Sequence, residues 1–351
     1  MRTVRGSGVL LSQYAGDEPP FDTLPTISRW AHQCGFAAVQ LPAHGGRFID
    51  ITKAAKSSSY CEEVKGQAAE AGLVLSDMVS HIQGQLCAVH PAYDALMDRL
   101  APPQVRGNRA ARQAWAIEQL KLCAEASRRL GMSQHATFSG ALFWPHCYPF
   151  PHWPEGLLDE AFAELARIWR PILDHFDSQG VDLCFELHPM EDLFDGETFE
   201  RFLAAVGNHG RCHINYDPSH FLKQGLDYIE FIDIYHERIK MFHVKDAEFR
   251  PTGRQGFYSG YQPWLKRAAR DRALGDGQVD FKRIFSKLAE YDYSGWAVYE
   301  WHCCLKHPED SARQAAEFIR QHIIRVADRP FGSSPGARAD AALNRGILGL
   351  D

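Results

Sequence analysis

The sequence predicts an α/β protein of the (β/α)8 barrel class. Three observations carry this. Apolar strand-like runs alternate with amphipathic helical stretches about eight times, the chain of 351 residues at 45% hydrophobic can bury one large core, and four of the apolar runs end in polar clusters. Those clusters are Phe185-Glu186-Leu187-His188, Asn215-Tyr216-Asp217-Pro218-Ser219-His220, His243-Val244-Lys245-Asp246 and Tyr299-Glu300-Trp301-His302. Strands that bury themselves do not ordinarily end in carboxylates and imidazoles, because unpaired charges there are costly to desolvate. Separations of roughly 30 to 60 residues, one or two strand–helix units, bring such endings together at one rim.

The elements follow in order. An apolar run over Gly8 to Gln13 reads as the first strand, followed by an amphipathic helix near Thr23 to Cys34 and a strand around Ala37 to Leu41. Tyr60 to Ala71 is helical, Val74 to His81 a strand, Gln113 to Leu130 helical, His135 to Gly140 a strand, and Leu157 to Gln179 helical. The second half repeats the alternation with strand Val181 to His188, helix Gly196 to Val206, strand Cys212 to Asp217 and helix Tyr228 to Arg238. Strand Ile239 to Val244, helix Phe281 to Tyr291, strand Trp296 to Trp301 and helix Pro308 to Val326 complete it. An open doubly wound sheet would want a Gly-rich phosphate turn after its first strand, whereas Gly6-Ser7-Gly8 precedes that strand.

Three connections after strands exceed what packing requires: Ile82 to Asn108, Ala141 to Gly156 and Ala247 to Val279. In a barrel they are top-face loops, where substrates bind. Their aromatic residues, Trp144 and Trp153 among them, offer flat faces to sugar rings or simply pack the loops down. Beyond Asp328 the run Pro330-Phe331-Gly332-Ser333-Ser334-Pro335-Gly336 breaks the last helix. The expected organisation is one catalytic barrel domain over 1–328 and a C-terminal tail or interaction arm over 329–351.

A net charge of −6 from 38 basic and 44 acidic residues offers no basic stripe to a phosphate backbone, so nucleic acid is excluded as a partner. Nine cysteines, an odd number without paired metal-ligand spacing, read as reduced core residues. No run approaches the roughly 18 apolar residues of a membrane span, and the N-terminal apolar run is too brief for a secretory signal. These features predict a cytoplasmic protein with no membrane partner.

The endings Glu186, Asp217 with His220 just past Pro218, His243 and Glu300, together with Gly275-Asp276-Gly277-Gln278-Val279-Asp280-Phe281, resemble the xylose-isomerase-like barrel superfamily, and within it the sugar phosphate isomerase/epimerase branch. The resemblance covers the chain except its tail. It implies that Glu186, Asp217, His243 and Glu300 ligate a metal, and that Glu186 and Glu300 flank a sugar as base and acid. Three carboxylates and an imidazole form a hard, oxygen-rich set that suits Mn²⁺ first, with Mg²⁺ or Co²⁺ as alternatives. Such an ion takes a ketone and its neighbouring hydroxyl and stabilises the enediolate formed when the intervening C–H loses its proton.

His188 and His220 are expected to hydrogen-bond substrate hydroxyls or orient a ligand, Lys245 to neutralise an oxyanion, and His81 and Trp144 to contact substrate. Asp217 before Pro218 also fits an Asx turn, and Lys245 with Asp246 a salt-bridged turn. The implied function is a divalent-metal-dependent sugar isomerase or epimerase, on a free or lightly modified sugar. The alternative is a 3-keto-glycoside lyase or deglycosidase with the same first step. His81-Ile82-Gln83-Gly84-Gln85, Thr137-Phe138-Ser139-Gly140 and Asp217-Pro218-Ser219-His220 are distantly similar to the large subunits of C-glycoside deglycosidases, a resemblance that implies a small partner subunit. A non-catalytic sugar-binding barrel has no need of Glu186 and Glu300 together. A trinuclear-zinc abasic-site endonuclease of the superfamily needs more histidines and a basic face. Barrels of this kind associate, so a homo-oligomer is expected.

Overall fold

The computed structural model describes residues 3–328, 331–332 and 340–350. Among them run ten strands: β1 (Arg5–Leu10), β2 (Ala38–Pro42), β3 (Val74–Val79), β4 (Gln134–Thr137), β5 (Asp182–Glu186), β6 (Cys212–Tyr216), β7 (Ile239–Val244), β8 (Asp246–Phe249), β9 (Ala269–Arg272) and β10 (Trp296–Tyr299). Eight close a barrel in the order β1-β10-β7-β6-β5-β4-β3-β2, and β8 with β9 forms a separate ribbon. Every barrel pairing is parallel, so all C-terminal strand ends meet at one rim. The register sets Glu186 beside Asn215 and His243 beside Val298.

Alternation along each strand divides the apolar residues between two cores. Leu10, Val79, Ala136, Cys184, Met241 and Val298 fill the barrel interior. The opposite faces meet the helices: Phe185 lies edge-on to Trp169 at 4.9 Å and to Phe202 at 5.2 Å. Burying such a ring contributes about 1.5–3 kcal/mol. Trp169 belongs to helix Leu157–Gln179, whose buried Phe162, Leu165, Trp169, Ile172 and Phe176 recur in helical steps, and Gly180 closes that helix at φ 70°.

The structure moves several expected boundaries. β3 stops at Val79, and His81 opens a helix over His81–Cys87 instead of ending the strand. That helix lies directly on the end of β4: a Cβ on Gly84 would fall 2.2 Å from the Phe138 carbonyl oxygen. β10 likewise stops at Tyr299, two residues short of Trp301, and the last barrel helix, Pro308–His322, ends because Ile323 turns extended. The connection read as loop over Ala247 to Val279 contains the antiparallel ribbon, and short helices Ile51–Lys56 and Pro218–Gln224 were not expected. The ribbon escapes sequence reading because ionic rather than apolar pairs hold it. Buried Glu248 takes Arg270 Nε at 2.6 Å and Arg272 Nη1 at 2.8 Å.

Of the expected tail over 329–351, part lies outside the described residues, including most of the Pro330 to Gly336 breaker. A short exposed helix, Ala341–Ile347, is described within it. No helix among the described residues is long and apolar enough to cross a membrane. All nine cysteines are free thiols; seven are buried, whereas Cys147 is exposed on its loop and Cys304 partly so.

Candidate metal centre

The barrel pleat builds the site. Glu186 follows Cys184 by two residues on β5, His243 follows Met241 on β7, and Glu300 follows Val298 just past β10. Cys184, Met241 and Val298 point into the barrel, so the same period of two aims each polar successor inward one layer higher, at the rim. Asp217 follows the inward Asn215 of β6 by two residues in the same way, and a helix cap fixes its carboxylate. Its Oδ1 accepts the Ser219 N–H at 2.9 Å, capping helix Pro218–Gln224 with Pro218 in the first turn, which leaves Oδ2 for the site.

One ligand atom from each of Glu186, Asp217, His243 and Glu300 lies within 4.8 Å of the others, and all four residues are buried. Imidazole Nδ1 of His243 stands 3.1 Å from Glu186 Oε2 and 3.3 Å from Glu300 Oε2. The Lys245 ammonium lies 2.6 Å from Asp217 Oδ2, 2.7 Å from Glu300 Oε2 and 3.6 Å from Glu186 Oε1, and it donates to His220 Nε2 at 2.9 Å. Around these, Asn215 Nδ2 donates to Glu186 Oε2 at 2.9 Å and Gln13 Nε2 to Glu300 Oε1 at 2.9 Å.

Burial alone would raise the pKa of Glu186 and Glu300, but Lys245 with the neighbouring imidazoles outweighs it and holds both well below the usual carboxylate range. Asp217 is depressed in the same way, burial opposing and Lys245 and His220 prevailing. Burial disfavours the His243 cation, yet Glu186 and Glu300 push its pKa up to about 10. Three ionised carboxylates therefore surround one ammonium, and an imidazole edge bearing Nδ1 faces two of them. That donor set fits a divalent cation on three counts. A dication that takes the place of the His243 proton balances the two negative charges that Lys245 leaves, the oxygen-rich ligands are hard, and the span matches the roughly 4–5 Å across an octahedral shell of Mg²⁺ to Ca²⁺ size.

The model of the xylose isomerase-like TIM barrel matches residues 28–322. The chain belongs to this family. It is 28% identical over 168 residues to an inosose dehydratase of Geobacillus kaustophilus, covering 43% of this chain and 50% of that one. It is 32% identical over 160 residues to the inosose dehydratase of Bacillus velezensis, covering 42% and 50%. The chain thus spans about half the length of the curated relatives it matches. Among solved structures, a 3-keto-D-glucoside 4-epimerase from E. coli superposes with a TM-score of 0.60 at 15% identity, covering 90% of this chain and 98% of the other. An L-ribulose 3-epimerase gives 0.58 at 16%, covering 92% and 94%. These likenesses show the shared fold.

In this xylose isomerase-like barrel the other singled-out residues fall unequally about the centre. His81 Nε2 lies 3.2 Å from Glu186 Oε2 with its ring stacked on Phe138 at 4.3 Å. His220 Nε2 lies 3.1 Å from Glu186 Oε1, and the His188 ring sits 4.0 Å from that of His220. Burial, His220 and Lys245 keep His188 neutral, its pKa well below the usual imidazole value. Trp144 stands apart. Its backbone N–H is one of three, with Leu142 and Phe143, that donate to the Asp192 carboxylate, and its ring packs edge-on to Phe194 at 5.1 Å.

A cavity of about 810 Å³ opens outward from the centre, bordered near it by Gln13, His188, His220 and His302 and further out by Phe257, Trp264, Trp301 and Met190. Lys223 and Asp271, paired at 2.6 Å, line the same wall. Gln13, Asn215, Lys223 and Asp271 were not expected there. Asn215 alone carried a signal, an amide at an inward position of a buried strand.

Proposed function

We propose that this chain is a metal-dependent enzyme that moves a proton on the carbon beside a sugar carbonyl, giving isomerisation or epimerisation. The observation that supports it is the placing of two ionised glutamates, Glu186 and Glu300, against the same imidazole edge within one buried four-ligand set. A divalent ion, Mn²⁺ by preference, held by Glu186, Asp217, His243 and Glu300, supplies Lewis-acid stabilisation of negative charge on the sugar oxygens. The Glu186 carboxylate takes the proton as the C–H electron pair moves toward the carbonyl oxygen, leaving an enediolate. A proton that Glu300 first takes up from solvent and then gives to the opposite face inverts that carbon, whereas return of the Glu186 proton to the former carbonyl carbon, with the hydroxyl proton passing to the enediolate oxygen, relocates the carbonyl. Lys245, joined to His220 Nε2 and facing the carboxylates, offers N–H groups to the developing oxyanion. His188 borders the cavity where hydroxyls would lie.

One observation favours a second reading. The aromatic outer wall of Phe257, Trp264 and Trp301 extends beyond the space next to the ligands and provides for a group attached to the sugar. With a 3-keto-glycoside the same proton abstraction ends in expulsion of the β-substituent, whose departing atom takes the bonding pair. The names of similar proteins, an inosose dehydratase and a 3-keto-D-glucoside 4-epimerase, include both an elimination and an epimerisation.

The test is proton NMR in D₂O of the Mn²⁺-loaded protein, with an EDTA-treated control, on free ketohexoses and on 3-keto-glycosides. Metal-dependent deuterium incorporation with a new keto or aldo sugar supports the first reading, and release of the aglycone the second. Exchange on neither panel, in a protein that binds the metal, contradicts both.

A further inference from the structure

We propose that Gln40 and Asp77 are positioning residues that fix the tautomer of His243, so that Nδ1 presents its lone pair to the metal. The inference rests on the ligand role given to His243 above. The residues come from three strands and meet inside the barrel: Gln40 on β2, Asp77 on the adjacent β3, and His243 reaching across from β7. Their exposures are 0%, 4% and 0%, so solvent does not decide the proton positions.

The logic begins at Asp77. A carboxylate only accepts, so it draws the Gln40 amide nitrogen toward itself, and Gln40 Nε2 donates to Asp77 Oδ1. The other end of that amide, Oε1, must then face away, and it lies 2.9 Å from His243 Nε2. An amide oxygen also only accepts, so Nε2 carries the hydrogen. The far side of the ring, Nδ1, is the edge that faces the Glu186 and Glu300 carboxylates at 3.1 and 3.3 Å. Asn215 Nδ2, a donor, stands 3.2 Å from His243 Nδ1 while also donating to Glu186. With the Nε2 hydrogen held by Gln40, Nδ1 is the nitrogen that gives up its proton to a cation seated among the carboxylates. Without Asp77 the Gln40 amide has no reason to prefer this orientation, and without Gln40 the ring is free to turn or exchange tautomers.

The test is calorimetric titration of the EDTA-treated full chain with Mn²⁺, for wild type, Gln40→Leu, Asp77→Asn, the double variant Q40E/D77N and His243→Ala, each checked for folding by circular dichroism. Gln40→Leu is expected to weaken Mn²⁺ binding about 10- to 100-fold, the usual effect of losing a partner behind a ligand. Asp77→Asn should weaken it in the same direction. Q40E/D77N should restore most of the affinity, because it exchanges the carboxylate and the amide: the carboxylate, now on β2, again accepts from His243 Nε2–H, while the amide, now on β3, donates to that carboxylate. Wild-type affinity in Gln40→Leu, or a loss that Q40E/D77N does not restore in a folded protein, overturns the proposal while leaving the centre intact. Wild-type affinity in His243→Ala overturns the ligand assignment itself.

Discussion

The Lys245 ammonium lies 2.6 Å from Asp217 Oδ2, with both side chains at most 1% exposed. A charge pair so deeply buried is poor evidence for stability as such, but removing one partner strands the other. Lys245→Met is therefore expected to destabilise the metal-free protein by about 3–5 kcal/mol. Saturating Mn²⁺ should recover part of that loss, since a dication neutralises the carboxylates that Lys245 served. Urea unfolding of variant and wild type, in EDTA and in Mn²⁺, checks this; equal losses under both conditions would contradict it.

Glu186→Gln and Glu300→Gln keep the shape of the side chain but cannot take up a proton. Each is expected to fold normally and to lose about 10²- to 10⁴-fold in turnover, the usual contribution of a positioned acid or base. Steady-state rates on whichever substrate panel proves active give the comparison. Near-normal turnover in either variant removes that glutamate from proton transfer.

Glu191 gives a pH dependence of stability. It is fully buried, and burial raises its carboxyl from 4.5 to about 8, only partly offset by the Gly140 N–H bonded to Oε2 at 2.7 Å. A pKa raised on folding favours the folded state fully below about 4.5 and loses that contribution as pH rises through about 8. Stability should fall by an amount on the order of a few kcal/mol across that window. Glu191→Gln, which stays neutral, should flatten the fall. Urea midpoints near pH 6 and pH 9 for both proteins measure it, and parallel curves would mean that Glu191 ionises freely in the folded protein.

Gly84 permits the close approach that holds His81 beside Glu186. A Cβ there would meet both Thr137 Oγ1 and the Phe138 carbonyl oxygen at 2.2 Å, and backbone cannot yield as a flexible side chain does. Gly84→Ala should lower stability by about 1–3 kcal/mol or more and displace helix His81–Cys87. Thermal unfolding reports the first effect and activity at saturating metal the second; a variant with wild-type values on both would show that the helix shifts freely.

The barrel was legible because its strands are mainly apolar runs, and the four ligands because each stands at or beside the end of such a run. Boundaries at the rim were less so. Ser80-His81 and Glu300-Trp301 contain no Gly or Pro to mark a break, while the chain there has already left the sheet to enter a helix or a loop. The β8–β9 ribbon was hidden because Glu248, Arg270 and Arg272 look like a solvated face until the two strands are seen paired. Gln40 and Asp77 were readable in principle, as polar residues inside Ala38–Pro42 and Val74–Val79, yet nothing in either strand alone says that they meet His243. Trp144 drew notice by residue type, whereas its position is fixed by Asp192 holding the loop backbone.

The most direct test is an anomalous difference map at the manganese absorption edge from crystals grown with Mn²⁺. One peak per chain within coordination distance of Glu186, Asp217, His243 and Glu300 is the expected result. A peak elsewhere, or none at saturating Mn²⁺, would contradict the metal centre and with it the proton-transfer chemistry proposed for this barrel.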